Sequence, residues 1–161
     1  MKHRIAPVEG PAEIETVRLL FREYADGLAI DLGFQEFEGE LATLPGRYAP
    51  PRGALLVARD DAGQALGCVA LRPLDRDSVC EIKRLYVRAA ARKTGLGRAL
   101  AETILECAVA LSYRRAVLDT LSTMDAATAL YRSLGFTETV PYGPPPVVPD
   151  MLFFERRLDA G

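Results

Sequence analysis

The stretch Arg92-Lys93-Thr94-Gly95-Leu96-Gly97 lies between a strand-like run, Glu81 to Val87, and an amphipathic run that predicts a helix beginning at Arg98. A strand, a glycine turn and a helix N-terminus together form an anion site. The first helical turn leaves its N–H groups unpaired, and the helix dipole adds positive charge there. Arg92, Lys93 and Arg98 add cationic side chains around the turn. The stretch therefore predicts a pyrophosphate-bearing ligand.

Length and composition limit what the chain does. Its 161 residues are predicted to form one domain, residues 1 to 161, whose core needs no disulfide or metal. Lys plus Arg total 20 against 22 Asp plus Glu, and this net charge of -2 favours small-molecule partners over nucleic acid or membrane. The start of the chain has no signal-peptide core, and no run approaches transmembrane length. We therefore expect a cytoplasmic protein.

Cysteine and histidine usage narrows the chemistry. His3 is the single histidine and no Cys-x-x-Cys is present, so no zinc-ligand spacing exists and no metal is expected. A Ser-His-Asp or Cys-His pair could come only from the N-terminal edge. Cys68, Cys80 and Cys107 lie in apolar runs, which is typical of reduced, buried thiols. Nucleophilic roles for Cys68 and Cys80 are disfavoured because no histidine is near to activate them.

The periodicity of apolar residues predicts a mixed α/β sheet, mostly antiparallel, with helices on both faces. Asp60-Asp61-Ala62-Gly63-Gln64 suits the turn of an antiparallel hairpin, and the short buried strand near Asp119 should lie parallel to its predecessor. A proline-rich loop, 141–149, separates the last two strands. Strands are predicted at 3–8, 54–59, 65–71, 79–87, 116–119, 136–140 and 151–157, and helices at 11–28, 34–44, 98–111 and 124–134.

Three kinds of glycine turn compete for the stretch 92–97. A Walker loop is excluded because no Gly-x-x-x-x-Gly-Lys-Ser/Thr run exists. A dinucleotide turn is a closer rival, since Gly95-x-Gly97 opens a helix and Asp119 ends the next strand. However, Leu100 stands where that turn needs a small residue for close helix packing, and the preceding sequence is a hairpin meander.

The third kind of turn resembles that of the GNAT superfamily of acyl-CoA-dependent N-acyltransferases over most of residues 54 to 157. Arg92 to Gly97 matches the family pattern Arg/Gln-x-x-Gly-x-Gly/Ala, and Leu85-Tyr86-Val87 precedes it at the usual offset. The second signature is Ala127-x-x-Leu130-Tyr131-x-x-x-Gly135-Phe136. One departure is Met124, where the family often has an asparagine seven residues before the tyrosine.

The resemblance implies acetyl-CoA as co-substrate and a GNAT-like sheet that splays at the cofactor site. The pyrophosphate would lie on the amides of residues 93 to 98, and pantetheine would run alongside Leu85 and Val87. A backbone amide near these residues would hold the oxyanion. The implied cofactor-binding residues are Leu85, Tyr86, Val87, Arg92, Lys93, Thr94, Gly95, Leu96, Gly97, Arg98, Met124 and Ala127.

Attack by an amine needs a proton acceptor, because a lysine-like amine has a reference pKa of about 10.4. Glu81 is the first candidate, since it lies six residues before Val87, the spacing at which histone-acetylating members carry their basic glutamate. The alternative is a glutamate that merely pairs with Lys83 or Arg84. Weaker rivals for the base are Glu23, Asp31 and Asp119.

Tyr131 is the candidate proton donor to the departing CoA thiolate, because a tyrosine with a pKa of about 10 stays protonated at pH 7. The alternative is a core residue on the stripe Ala127, Leu130, Leu134. The resemblance thus implies direct acetyl transfer to a small-molecule or peptide amine. A catalytically silent acyl-CoA-binding module and a dinucleotide-dependent oxidoreductase stay open.

Several charged and aromatic residues are left with two interpretations. Lys83 and Arg84 could bind the acceptor or CoA, or be solvated or paired, and the acids Glu36, Glu38 and Glu40 could attract a cationic acceptor or form a wet face. Tyr142 could close over the acceptor. Homodimerisation is expected from how often GNAT domains pair and from the apolar run Met151-Leu152-Phe153-Phe154.

Overall fold

A computed structural model of the protein describes residues 2–28, 36–74, 76, 78–143 and 150–158. The strands are Arg4–Pro7 (β1), Ala54–Arg59 (β2), Ala65–Pro73 (β3), Val79–Val87 (β4), Arg115–Leu121 (β5), Thr137–Thr139 (β6) and Met151–Arg157 (β7). The helices are Gly10–Asp26 (α1), Phe37–Ala42 (α2), Leu96–Ala110 (α3) and Asp125–Ser133 (α4), with 3-10 turns at Gly46–Tyr48 and Ala89–Ala91. The strands form one open sheet in the order β1-β2-β3-β4-β5-β7-β6.

The predicted hairpin and the predicted parallel pair are both confirmed. β2 and β3 run antiparallel. Between them the side-chain oxygen Oδ1 of Asp60 accepts the N–H groups of Ala62 and Gln64, both at 2.9 Å. Gly63 takes a φ of +82°, which glycine adopts without strain. β5 lies parallel to β4 and antiparallel to β7, so the sheet is mixed and mostly antiparallel.

Helices cover both faces of the sheet, as the periodicity predicts. α1 and α2 pack on one face, where Leu20 and Phe21 are fully buried. α3 packs on the other face through Leu100 and Ile104, together with Tyr131 of α4. Strand residues alternate between these two cores, so each face of β3 and β4 is enclosed.

Some element boundaries differ from the prediction. α3 begins at Leu96 rather than Arg98, because Gly95 takes a φ of +86° and lets the chain turn directly into the helix, with the Leu96 side chain buried beneath it. α2 spans Phe37–Ala42, shorter than the predicted 34–44, and Phe34 lies outside the described residues. Residues 144–149 of the proline-rich loop also lie outside them.

β4 carries the irregularity that shapes the centre of the sheet. Cys68 pairs with Tyr86 and Ala70 pairs with Lys83, so β4 has one more residue than β3 between these pairs, and Arg84 at this bulge takes a φ of +61°. In the described chain, β4 pairs with β5 only from Val79 to Glu81. Beyond Glu81 the two strands diverge, which confirms the predicted splay.

The apolar run 151–154 belongs to β7, an interior strand between β5 and β6. Phe154 in this run is fully buried. The sheet therefore accounts for the run, and homodimerisation stays a prediction that this strand does not support. Among the described residues, no helix has both the length and the apolar composition that are needed to cross a bilayer.

Candidate active site

The glycine turn presents main-chain N–H groups at the start of α3. Gly95 is the N-cap residue and contributes no side-chain hydrogen bond to the first turn. A Cβ added at Gly97 would lie 3.8 Å from the Val87 Cγ2 atom, an ordinary contact, whereas one added at Gly95 would meet nothing within 4 Å. Unpaired amides, a helix dipole and space for close approach suit a phosphate group.

The side chains of the turn are engaged to different degrees. Arg92 is exposed and donates from Nε to the Val87 carbonyl at 3.0 Å, and Lys93 is exposed. Arg98 pairs with Glu102 at 3.1 Å and donates to the Ser133 hydroxyl at 2.8 Å. The Thr94 hydroxyl donates to a main-chain carbonyl at 2.6 Å. Arg92 and Lys93 are thus the cations with the fewest competing contacts at the turn.

A cavity of about 50 Å³ lies where β4 and β5 diverge. It brings together parts of the chain that are far apart in sequence and combines apolar walls with titratable groups. Its lining residues are Tyr24 of α1, residues 82–85 of β4, Asp119 and Thr120 of β5, and Met124, Ala127 and Tyr131 at α4.

Four residues of the predicted site meet in this cavity: Leu85, Met124, Ala127 and Tyr131. Tyr86 does not line it, and its hydroxyl donates to Glu23 at 3.1 Å. The other partner of Glu23 is Arg88, at 2.7 Å, and this hydrogen bond lowers the pKa of the Glu23 carboxyl. Glu23 therefore joins α1 to the end of β4 and is poorly suited to act as a base.

Tyr131 combines the two interpretations that the sequence leaves open. Tyr131 is 8% exposed. The centroid of its ring lies 5.8 Å from that of Phe136 and 6.5 Å from that of Phe154. It also lines the cavity. Burial raises the pKa of its hydroxyl above the ordinary value, so the group is protonated at neutral pH and able to donate.

Glu81 is held by three neighbours. Arg72 donates from Nε to Oε1 at 2.9 Å and its Nη2 atom lies 2.8 Å from the same oxygen, and the Tyr142 hydroxyl donates to Oε2 at 2.6 Å. The Lys83 ammonium lies 3.8 Å from Oε2. Burial favours the neutral carboxyl, but the Lys83 and Arg72 charges and the Tyr142 hydrogen bond prevail and lower the pKa of Glu81. Of the two partners that the sequence offers for Glu81, Lys83 does pair with it, whereas Arg84 pairs with a different carboxylate.

Asp119 has a different environment from Glu81. Its side chain is 19% exposed against 4% for Glu81, and it lines the cavity. Burial raises the pKa of Asp119, opposed by Lys83, whose ammonium lies 3.8 Å from Oδ2. Of the rival bases, Asp119 is thus the one with the higher proton affinity and access to the cavity. Asp31 lies outside the described residues.

Arg84 is a structural cation. It donates from Nε and Nη2 to the two carboxylate oxygens of Glu40, at 3.0 and 3.1 Å. Its guanidinium carbon lies 5.1 Å from the ring centroid of Phe37 and 5.7 Å from that of Tyr24. Because only 2% of its side chain is exposed, the solvated interpretation is wrong for Arg84. Its contacts tie the β4 bulge to α1 and α2.

The three acids near α2 have separate environments. Glu40 is the partner of Arg84, Glu38 pairs with Arg22 at the surface, and Glu36 is exposed. They therefore do not form one acidic patch. The Tyr142 hydroxyl donates to Glu81, and closure of Tyr142 over an acceptor stays a prediction.

Sequence reasoning missed Arg72 and Tyr24. Arg72 follows the apolar residues of β3, and its partner Glu81 is directly opposite on β4. A charged residue at the end of a buried strand is a signal of pairing, but the register that selects the partner depends on the bulge. Tyr24 reads as a core position of α1, but in the structure it is half-buried and lines the cavity.

A larger groove, of about 440 Å³, lies between α3, α4 and β7. It is lined by Glu102, Glu106, Arg156 and Arg157 among others, and by none of the predicted site residues. It lies along the C-terminal half of α3, whereas the anion site needs the N-terminus of that helix. The smaller cavity at the strand splay is therefore the candidate active site.

The comparisons with known proteins agree with this geometry. Residues 16–136 match the model of the acetyltransferase (GNAT) family. The chain is 42% identical over 154 residues to an uncharacterized N-acetyltransferase of Schizosaccharomyces pombe, covering 96% of this chain and 94% of that protein. It is 32% identical over 124 residues to N-acetylaspartate synthetase of Danio rerio, covering 73% of this chain and 44% of that protein.

A solved structure shares the fold. The structure of a putative acetyltransferase, yncA, from Salmonella typhimurium with its cofactor acetyl-CoA superposes with a TM-score of 0.71 at 20% identity, covering 100% of this chain and 96% of that one. The open mixed sheet and the helices around it are thus arranged as in that structure. The chain belongs to the acetyltransferase (GNAT) family.

Proposed function

We propose that the protein transfers an acetyl group from acetyl-CoA to a primary amine of a small molecule or peptide, by direct attack of the amine on the thioester. The observation that carries the proposal is the cavity at the splay, in which Asp119 and Tyr131 face one small space beside Leu85. The glycine turn, with its open space at Gly95, would hold the pyrophosphate on the amides of residues 93 to 98.

Asp119 is the proposed proton acceptor for the incoming ammonium. A general base works best when its pKa approaches the working pH, and burial moves the pKa of Asp119 in that direction. Glu81, the first candidate from the sequence, has a lowered pKa and both of its oxygens are engaged. This environment favours a structural role for Glu81 as the partner of its neighbours. Its role as proton acceptor stays a prediction.

Tyr131 is the proposed proton donor to the departing thiolate. Its raised pKa keeps the hydroxyl protonated, and its place in the cavity wall supports access to the reacting sulfur. A main-chain N–H in the segment Leu85 to Val87, next to the bulge, would stabilise the oxyanion without a charged side chain. No metal ion is required by this set of groups.

An amino acid is the first acceptor to test. N-acetylaspartate synthetase of Danio rerio, a relative by sequence, is named for a product in which an amino acid carries the acetyl group. The cations Arg72 and Lys83 lie on the same side of the sheet as Asp119, where an acceptor carboxylate would find opposite charge.

The test is a panel of amines incubated with acetyl-CoA, with free thiol release as the first readout and mass spectrometry of the acetylated product as the second. We expect thiol release that depends on one class of amine. Binding of acetyl-CoA without turnover on any amine would favour the silent acyl-CoA-binding module, and binding of a nicotinamide dinucleotide instead would favour the oxidoreductase.

Two further expectations stay predictions. Cytoplasmic location is supported by the three cysteines, which are free thiols, with Cys68 and Cys80 buried. Homodimerisation is tested by light scattering at micromolar concentration, where a monomer alone would contradict it.

A further inference from the structure

The charged residues beside the cavity form a continuous network of ion pairs across three strands. Arg72 of β3 holds Glu81 of β4 through a hydrogen bond from Nε at 2.9 Å and an ion pair in which Nη2 lies 2.8 Å from the same oxygen. The Lys83 ammonium lies 3.8 Å from a carboxylate oxygen of Glu81 and 3.8 Å from one of Asp119 on β5. Lys83 therefore bridges a carboxylate that is closed off from the cavity and one that lines it.

Together, Arg72, Glu81 and Lys83 present a net positive charge to Asp119. Arg72 neutralises Glu81, so the positive charge of Lys83 remains to favour the ionised form of Asp119. Burial raises the pKa of Asp119, and the Lys83 charge opposes this shift, so loss of that charge would disfavour the ionised form that accepts a proton. Lys83 is itself held in place, because its side chain is 4% exposed and lies in the same wall.

We propose that Lys83 is a positioning residue which keeps the carboxylate of Asp119 ionised and directed at the cavity, while Arg72 offsets the opposing charge of Glu81. The proposal rests on the proposed function only in taking Asp119 as the proton acceptor. Within the described residues, the charged and titratable groups around Asp119 are Glu81, Lys83 and Arg84 of β4, Arg72 of β3, Tyr24 of α1, Tyr131 of α4 and Tyr142 after β6.

The test follows the titration of Asp119 directly, in full-length protein labelled with ¹³C at the aspartate side-chain carboxyl and observed by NMR. The resonance is assigned by its loss in Asp119→Asn. Lys83→Met removes the charge at similar length, so the proton affinity of Asp119 is expected to increase about tenfold or more. Glu81→Gln removes a like charge, so the proton affinity is expected to decrease.

Two controls isolate the charge. Lys83→Arg keeps the charge and is expected to leave the Asp119 titration close to that of the unmodified protein. Lys2→Met makes the same chemical change ahead of the edge strand β1, three strands away from β4, and is expected to have no effect.

An Asp119 titration that is unchanged or moves to lower pH in Lys83→Met overturns the proposal. If near-ultraviolet circular dichroism shows Lys83→Met to be unfolded, Glu81→Gln decides, and a titration that moves upward or not at all overturns the proposal. The readout needs no turnover, so it is separate from the proposed function, which fails if no amine is acetylated. Acetyl transfer by Asp119→Asn at the normal rate would remove Asp119 as the proton acceptor and leave the proposed function in place.

Discussion

The glycine turn and the charged cluster at the strand splay are built in opposite ways. The turn, residues 92–98, is mostly exposed, and its binding groups are main-chain amides of consecutive residues. The cluster consists of side chains from three strands, Arg72, Glu81, Lys83 and Asp119, of which Glu81 and Lys83 are buried, and each charge is paired. The difference teaches that an anion site made of backbone needs local geometry alone, whereas a tuned carboxylate needs partners fixed by the whole sheet.

The two regions should also respond differently to mutation. Because the turn is exposed, changes there are expected to alter ligand binding and leave the free energy of unfolding almost intact. Changes in the buried cluster leave an unpaired charge in a low-dielectric interior, so they are expected to reduce stability as well as activity.

The largest effect is expected from Gly97→Glu, which should abolish CoA binding measured by calorimetry. The new side chain would put a negative charge and bulk against the pyrophosphate. Gly97→Ala is the control, because a Cβ at this position meets Val87 Cγ2 at an ordinary 3.8 Å, and the fold should tolerate both changes. Unchanged affinity in Gly97→Glu would remove the turn from the cofactor site.

Arg84→Met tests the buried side of the comparison. Glu40 would keep a largely buried charge without its guanidinium partner, so we expect the free energy of unfolding in urea to fall by about 3–5 kcal/mol. Arg22→Met breaks the exposed pair with Glu38 and is expected to change the free energy of unfolding by about 0.5 kcal/mol or less. Equal effects of the two variants would show that burial of the Arg84 pair does not matter.

Tyr131→Phe tests a residue that belongs both to the hydrophobic core and to the cavity wall. The ring and its packing stay while the donor is lost, so kcat is expected to fall about 10²-fold with CoA affinity nearly retained. Steady-state kinetics and calorimetry measure the two quantities. Normal turnover would make Tyr131 a core residue and assign the acid to water or another group.

The smallest effect is expected from Tyr142→Phe, which removes the hydroxyl that donates to Glu81. The pKa of Glu81 is lowered in the fold, so its stabilising contribution is present above the unfolded pKa and is lost as pH falls through the folded one. Losing one hydrogen bond to this charge should destabilise the protein by about 1.5 kcal/mol near pH 7.

This loss should disappear as the pH is lowered and Glu81 becomes protonated in both proteins. Urea unfolding of Tyr142→Phe and the unmodified protein, compared at several pH values, measures the difference. A difference that is constant with pH would mean that the ring of Tyr142, packed 5.5 Å from that of Phe153, matters rather than its hydroxyl.

Much of the fold follows from the sequence because its signals are local. The Asp60-to-Gln64 turn, the alternation of apolar residues in β2 and β3, and the stripe of α3 each specify an element through neighbours along the chain. The glycine turn is predicted for the same reason. Its geometry depends on Gly95 and on the unpaired amides that follow, which any helix start provides.

The tertiary structure alone decides which charged groups meet. A one-residue bulge at Arg84 places Lys83 and Arg84 near different acids, and the divergence of β4 from β5 beyond Glu81 puts Asp119 in the cavity and leaves Glu81 outside it. Proton affinity depends on burial and on partners within a few ångströms, and neither is encoded by spacing along one strand. The sequence by itself determined the glycine turn at which we propose that an anion binds, whereas the packed sheet decided which carboxylate faces the cavity.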